Sequence, residues 1–213
     1  MEVFATPAAA EQHAGLAATG PVWTLVDERA LGSLSDSVSP AGVVAVCRSL
    51  DRPTDHVLDG SRLVAICADV RDPGNAGTVV RCADAAGADA VVFAGESVDP
   101  HNAKTVRASV GSLFHLPIAL EADPATAVRA AQARGLLVLA ADGAGEVDLE
   151  QAGDLLEAPT AWLFGNEAWG LPAEVAALAD HRLRIPIRGR AESLNLSTAA
   201  ALCLYASARA QDR

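Results

Sequence analysis

Leu63-Val64-Ala65-Ile66-Cys67-Ala68, then Asp72-Pro73-Gly74-Asn75, then a helical run from about Ala76 to Ala86: this stretch decides the architecture. A continuous apolar run is expected of a strand covered on both faces. Asp-Pro-Gly-Asn is turn chemistry, and Asn75 stands where a helix N-cap is predicted. Val79, Val80 and Ala83 then share one side of the helix. The pattern continues downstream. Ala90 to Ala94 reads as a strand, His101 to Val110 as a helix ending at Gly111, and Leu116 to Leu120 as a short strand. Pro124 to Arg134 reads as a helix with Gly135 at its C-terminal end. Leu136 to Ala141 and Ala161-Trp162-Leu163-Phe164 are predicted strands, with a helix over Pro172 to Ala179. Leu183 to Ile187 is the last predicted strand and Leu194 to Ala210 a long closing helix. Such alternation predicts an α/β fold whose parallel sheet is flanked by helices.

Residues 1–59 differ. Pro7 to Ala18 suggests an Ala-rich helix, Val22 to Val26 a strand, Asp27 to Leu34 a helix and Gly42 to Cys47 a second strand. Arg48 to Gly60 carries Pro53, Asp55 and Gly60 and reads as a linker. About 50 residues make a marginal core, thin for an independent domain, so 1–59 is read as a segment with a linker that precedes a full domain at 60–213.

Hydrophobic residues make up 51% of the 213-residue chain, with few aromatics, in keeping with an α/β domain rather than a membrane protein. No apolar run suits a bilayer span and no signal peptide is legible, so a cytoplasmic protein is expected. Cys47, Cys67, Cys82 and Cys203 are scattered without a CxxC pair, which argues against a metal site or a disulfide framework. A net charge of −11 opposes general affinity for nucleic acid. The basic groups are local instead. Arg182, Arg184, Arg188 and Arg190 crowd one segment, and Lys104 and Arg107 share another. Taken alone, such a cluster is a solvated face.

Ligands of parallel sheets lie beyond the carboxyl ends of the strands, and three polar blocks fall there. The first is Asp72-Pro73-Gly74-Asn75-Ala76-Gly77-Thr78-Val79-Val80-Arg81. By itself it is a capped helix with a surface arginine. It has neither GxGxxG spacing nor the Lys-Ser/Thr of a P-loop, so neither nucleotide fingerprint applies. The second, Leu163-Phe164-Gly165-Asn166-Glu167-Ala168-Trp169-Gly170-Leu171-Pro172, runs a buried strand into a Gly-Asn-Glu turn. It reads either as a strand-to-helix loop whose Glu favours a helix N-terminus, or as a wall against which a ligand presses at Gly165. The third, Ile185 to Ser197, places Ser193, Asn195 and Ser197 at the start of the last helix. Ser193 is the predicted N-cap. Capping does not account for Asn195 and Ser197, since Asn and Ser within helices compete with the backbone.

In this order the blocks resemble the N-x-G-x-x-x-R, G-x-E and S-L-N-x-S signatures of the SpoU-type (TrmH-like) branch of the SPOUT RNA methyltransferases. Arg107-Ala108-Ser109-Val110-Gly111 is similar to the family's R-A-S-x-G element. The resemblance covers about residues 60–213. Residues 1–59 look like the tail of the L30e-like substrate-binding domain that precedes this domain in relatives, with the opening half of that domain absent. The resemblance implies a deep C-terminal trefoil knot, a feature periodicity does not reveal. It implies S-adenosyl-L-methionine held by Phe164, Gly165, Asn166, Ile185, Ile187, Ser193, Leu194 and Asn195. Gly165, Ile185 and Leu194 would contact the adenosine. It implies a homodimer in which Arg81 of one copy approaches the cofactor of the other. Methyl transfer to a ribose 2′-hydroxyl of 23S rRNA is the expected reaction, with tRNA the alternative substrate. A non-catalytic RNA-binding or ribosome-assembly protein retaining the fold is the rival class, and the intact Asn75, Arg81, Glu167 and Asn195 count against it. Arginine is a poor base, so Arg81 is read as a cation stabilising the developing alkoxide or a phosphate acting beside it. Asn75 would orient Arg81 or the ribose, Glu167 would steady the site across the dimer interface, and Asn195 would position the hydroxyl or the cofactor. Lys104, Arg107, Arg188 and Arg190 are the expected RNA contacts. No metal is called for.

Overall fold

A computed structural model describes residues 1–35, 37 and 40–212, which fall into two units, Met1–Ser49 and Leu50–Arg213. The first contains β1 (Glu2–Ala5), α1 (Pro7–Gln12), α2 (Ala14–Thr19), β2 (Trp23–Leu25), α3 (Glu28–Ser33) and β3 (Val43–Val46). β1 is central, parallel to β2 and antiparallel to β3. Glu-Val-Phe-Ala is too short for periodicity to reveal, and this strand is absent from the sequence reading. The Ala-rich segment is two helices broken at His13 rather than one. Thr6 and Asp27 cap α1 and α3 through their side chains, at 3.2 and 2.7 Å.

The second unit contains α4 (Thr54–Leu58), β4 (Leu63–Ala68), α5 (Pro73–Ala85), β5 (Ala90–Ala94), α6 (Ala103–Ser109), β6 (Ile118–Glu121), α7 (Pro124–Ala133), β7 (Leu137–Ala141), β8 (Val147–Asp148), β9 (Thr160–Phe164), α8 (Ala173–Ala176), β10 (His181–Arg184) and α9 (Leu196–Ala210). α4 occupies the segment read as a linker. Its Val57 and Leu58 are buried, which places 50–59 with the second unit.

The sheet runs β6-β5-β4-β9-β7-β10-β8 and every neighbouring pair is parallel. Alternation along each strand feeds two cores. Leu63, Ala65 and Cys67 of β4 and Trp162 and Phe164 of β9 pack under α5 and α9, against Val79, Val80, Cys203 and Leu204. Val64, Ile66, Ala161 and Leu163 face the opposite way, against α4 and α7 through Val57, Leu58, Val128 and Ala131. Burial of each such large side chain contributes about 1.5–3 kcal/mol. The buried Trp162 indole N–H donates to the Ser207 hydroxyl on α9 at 2.9 Å, which satisfies both groups.

β10 lies between β7 and β8, and Leu183 is level with both Ala141 and Val147. Residues 142–146 therefore bridge across β10 as a strap. The strap touches the strand backbone: a Cβ on Gly145 would lie 2.7 Å from the Arg182 carbonyl oxygen. The Asp142 N–H donates to the Leu183 carbonyl at 2.9 Å. β10 ends at Arg184, earlier than expected, so Ile185 to Ile187 leave the sheet. α8 is four residues long where a helix over 172–179 was predicted. No helix among the described residues is long and apolar enough to cross a membrane.

Candidate active site

The three polar blocks meet at the carboxyl edge of the sheet, around Glu167. Its carboxylate accepts from the Arg71 and Asp72 backbone N–H groups at 3.2 and 3.1 Å, and from the Asn75 side-chain amide at 3.2 Å. The Asn75 carboxamide oxygen in turn accepts from the Asn195 side chain at 2.9 Å. Asn195 completes the chain: its oxygen accepts from the Ser197 and Thr198 N–H groups at 2.9 and 3.3 Å and from the Ser197 hydroxyl at 2.6 Å.

The polarity of this chain is set from both ends. A carboxylate can only accept, and the first N–H groups of α9 can only donate. Each amide between them must turn its NH2 towards Glu167 and its oxygen towards the helix. Asn195, not Ser193, is thus the N-cap of α9, and the requirement for both Asn195 and Ser197 is explained. Likewise Asp72, not Asn75, caps α5, accepting from the Asn75 N–H at 2.8 Å. That frees the Asn75 side chain for the hub. The Asn75 N–H foremost, and then Lys104 at 3.4 Å, hold the Asp72 carboxyl below its ordinary range.

Beside the hub lies a cleft of about 350 Å³ at the ends of β7, β9 and β10. Phe164, Gly165, Asn166, Ile185, Ile187, Ser193 and Leu194 line it, as does Glu167. The Asn166 side chain is committed within the protein, donating to the Asp69 carbonyl of the loop after β4 at 2.7 Å and accepting from the Ala168 N–H of its own loop at 2.8 Å. It shapes the wall rather than offering a free amide. Gly165 meets protein backbone: a Cβ there would lie 2.6 Å from both the Gly170 oxygen and the Leu171 nitrogen. Asp142 and Glu192 also line the cleft and were not foreseen. Asp142 follows β7 directly, and the strand-end rule itself points to that position.

Arg81 does not line this cleft. Six residues past Asn75, it lies about 240° around the helix. It is exposed, and its guanidinium makes no hydrogen bond or ion pair with another described residue. The crowd of arginines is not a free cationic patch. Arg182 pairs with Glu146 at 3.1 Å, Arg184 with Asp148 at 3.9 Å and Arg188 with Glu150 at 2.6 Å. Lys104 is held by Asp72, whereas Arg107 and Arg190 are exposed. Among the described residues no three His, Cys, Asp or Glu side chains gather as a metal site.

The SpoU rRNA Methylase family matches residues 62–205. The 23S rRNA (guanosine(2553)-2′-O)-methyltransferase RlmP of Bacillus subtilis is 34% identical over 190 residues, 88% of this chain and 73% of that protein. The AdoMet-bound rRNA methyltransferase of Sinorhizobium meliloti superposes with a TM-score of 0.82 at 36% identity, covering 98% of this chain and 79% of that one. The tRNA-modifying TrmH/SpoU enzyme of A. aeolicus matches 75% of this chain and 81% of its own, with a TM-score of 0.63 and 26% identity. A sheet with this strand order, three signature blocks joined by one hydrogen-bond chain, and relatives of this extent make the chain a member of the SpoU rRNA methylase family.

Proposed function

We propose that this protein is an S-adenosylmethionine-dependent methyltransferase acting on a ribose 2′-hydroxyl of ribosomal RNA, with 23S rRNA the foremost substrate. The observation that carries the reading is the hydrogen-bond chain from Glu167 through Asn75 and Asn195 to the start of α9, set beside a cleft of cofactor size. Chain-wide likeness to an rRNA enzyme, against three-quarters coverage by a tRNA enzyme, favours rRNA over tRNA.

The cleft suits the cofactor. Ile185, Ile187 and Leu194 offer apolar walls to an adenine, and Glu192 and Asp142, the latter also paired with Arg182 at 3.5 Å, offer counter-charge to a sulfonium and an ammonium. When bound, S-adenosylmethionine supplies a methyl group on a sulfonium whose departure as a neutral thioether needs no acid. What remains for the protein is positioning of the hydroxyl and stabilisation of the forming alkoxide. We assign positioning to Asn75 and Asn195, whose orientations are locked by the hub. Arg81, remote from its own cleft and without a carboxylate partner, serves the site of a second copy, where its charge stabilises the alkoxide. Exposed Leu202 and Tyr205 on α9, with the Tyr205 hydroxyl bonded to the Ala85 carbonyl of α5 at 3.1 Å, support a homodimer formed over these two helices. Residues 1–49 are read as the RNA-capturing segment, helped by Arg107 and Arg190. The strap over β10 supports reading residues 142–187 as part of a knot.

Calorimetry with S-adenosylmethionine, tritium transfer to deproteinised ribosomal RNA, and mapping of 2′-O-methyl positions with and without the gene test this function. Arg81→Ala is expected to keep the cofactor affinity and lose about 10²–10³ in rate, the usual cost of a removed electrostatic donor. Activity within about tenfold of wild type would reject the role of Arg81.

A further inference from the structure

Trp169 stands at the tip of the Asn166–Gly170 loop and is 56% exposed, yet it is firmly placed. The Arg71 guanidinium lies over its ring, 5.3 Å from the centroid. Both residues sit on loops that are stitched together. Asn166 bonds the Asp69 carbonyl, Glu167 takes the Arg71 and Asp72 N–H groups, and paired 2.9 Å backbone bonds close Asn166 on Gly170. The cleft takes Ala168 and Gly170 as wall but not Trp169, so the indole lies outside the cofactor space.

The Arg71 guanidinium makes no ion pair with a described carboxylate, and its aromatic contact is with Trp169. Glu167, its neighbour, is used by backbone groups. The cation lies over the indole, which leaves an exposed indole–guanidinium pair at the carboxyl edge of β4 and β9. Nucleobases stack on both aromatic and guanidinium planes, and their phosphates favour an adjacent cation.

We propose that Trp169 and Arg71 form a stacking platform for a nucleobase flanking the ribose to be methylated, holding the RNA at the rim of the cleft. This rests on the RNA methyltransferase reading above. The platform recognises substrate and does not enter the methyl-transfer step.

The test is initial-rate kinetics of tritium transfer from S-adenosylmethionine to deproteinised total RNA from cells lacking the gene, with full-length wild type, Trp169→Ala and Trp169→Phe. Calorimetry with S-adenosylmethionine and the oligomeric state of each variant accompany it. The expected result is an RNA KM raised about tenfold in Trp169→Ala, the loss of one stacked base, with kcat and cofactor affinity within about twofold. Trp169→Phe recovers most of the affinity. An unchanged KM in Trp169→Ala overturns the proposal. So does a loss of cofactor binding or a changed oligomeric state in that variant, which would make the ring a structural contact. Failure of the wild-type enzyme itself to methylate any RNA would overturn the underlying function, and is separable because it appears without a mutation.

Discussion

Gly165→Ala probes fold and site together. The added methyl group would fall against the Gly170 carbonyl carbon, 2.6 Å from the Gly170 oxygen and 2.6 Å from the Leu171 nitrogen. Ordinary carbon contacts begin near 3.5 Å, so the loop must open by about 1 Å. All three neighbours are backbone and cannot swing aside as a side chain would. Overpacking of this kind costs about 1–3 kcal/mol. The paired bonds between Asn166 and Gly170, each 2.9 Å, are strained or lost, at about 0.5–1.5 kcal/mol apiece. A total of about 2–6 kcal/mol corresponds to a fall in Tm of about 4–24 °C for a domain of this size. Thermal melting followed by circular dichroism reads the first effect. Calorimetry with S-adenosylmethionine reads the second, since Phe164 and Glu167 move with the loop and the cofactor affinity is expected to fall about tenfold or more. A variant that melts within about 2 °C of wild type and binds the cofactor normally would refute the tight return of this loop on Gly165.

Three further outcomes follow from the packing and the titratable groups. Trp162→Phe leaves the buried Ser207 hydroxyl without its partner and should cost about 1–3 kcal/mol by denaturant unfolding, part of which Ser207→Ala in the same chain restores. Asp72 is held below its ordinary range chiefly by the Asn75 N–H, so its capping contribution is present above about pH 4 and is lost as pH falls through the depressed folded value. The Tm gap between wild type and Asp72→Ala should therefore be open at neutral pH and close on acidification; a gap that widens in acid contradicts the cap. Burial pushes the Cys67 thiol up to about 12 and raises Cys203 as well, whereas Cys47 is exposed. Ellman's reagent should titrate Cys47 rapidly, half-buried Cys82 slowly, and Cys67 and Cys203 only after unfolding.

Local signals were legible where one strand or helix determines its own pattern. The apolar runs at 63–68, 90–94 and 160–164 are buried strands because both sheet faces are covered, and no alternation was needed to find them. The chemistry-bearing blocks were legible by residue type and order, and they do converge. Their wiring was not. Asp72 outcompetes Asn75 as a cap because Pro73 and Gly74 start the helix earlier, and Asn195 replaces Ser193 because residues up to 194 stay outside it. The arginines at 182–188 look cationic in a one-dimensional count. Their acidic partners lie 36–38 residues away and come close only when β10 slots beside β8. The Arg71–Trp169 contact likewise joins two loops that only the adjacency of β4 and β9 brings together.

The strap at 142–146 has a consequence for how the molecule is made. β8, at the sheet edge, pairs with β10 alone, so it has no ladder to join until His181–Arg184 arrives. The bridge thus has no strand to latch on to until that later strand is in place. Asp142 and Gly143 can take up their places as cleft wall only once His181–Arg184 has been made. A nascent chain stopped before His181 forfeits two strands and the methyl-donor compartment at a single stroke, whatever the other five strands of the sheet have already achieved.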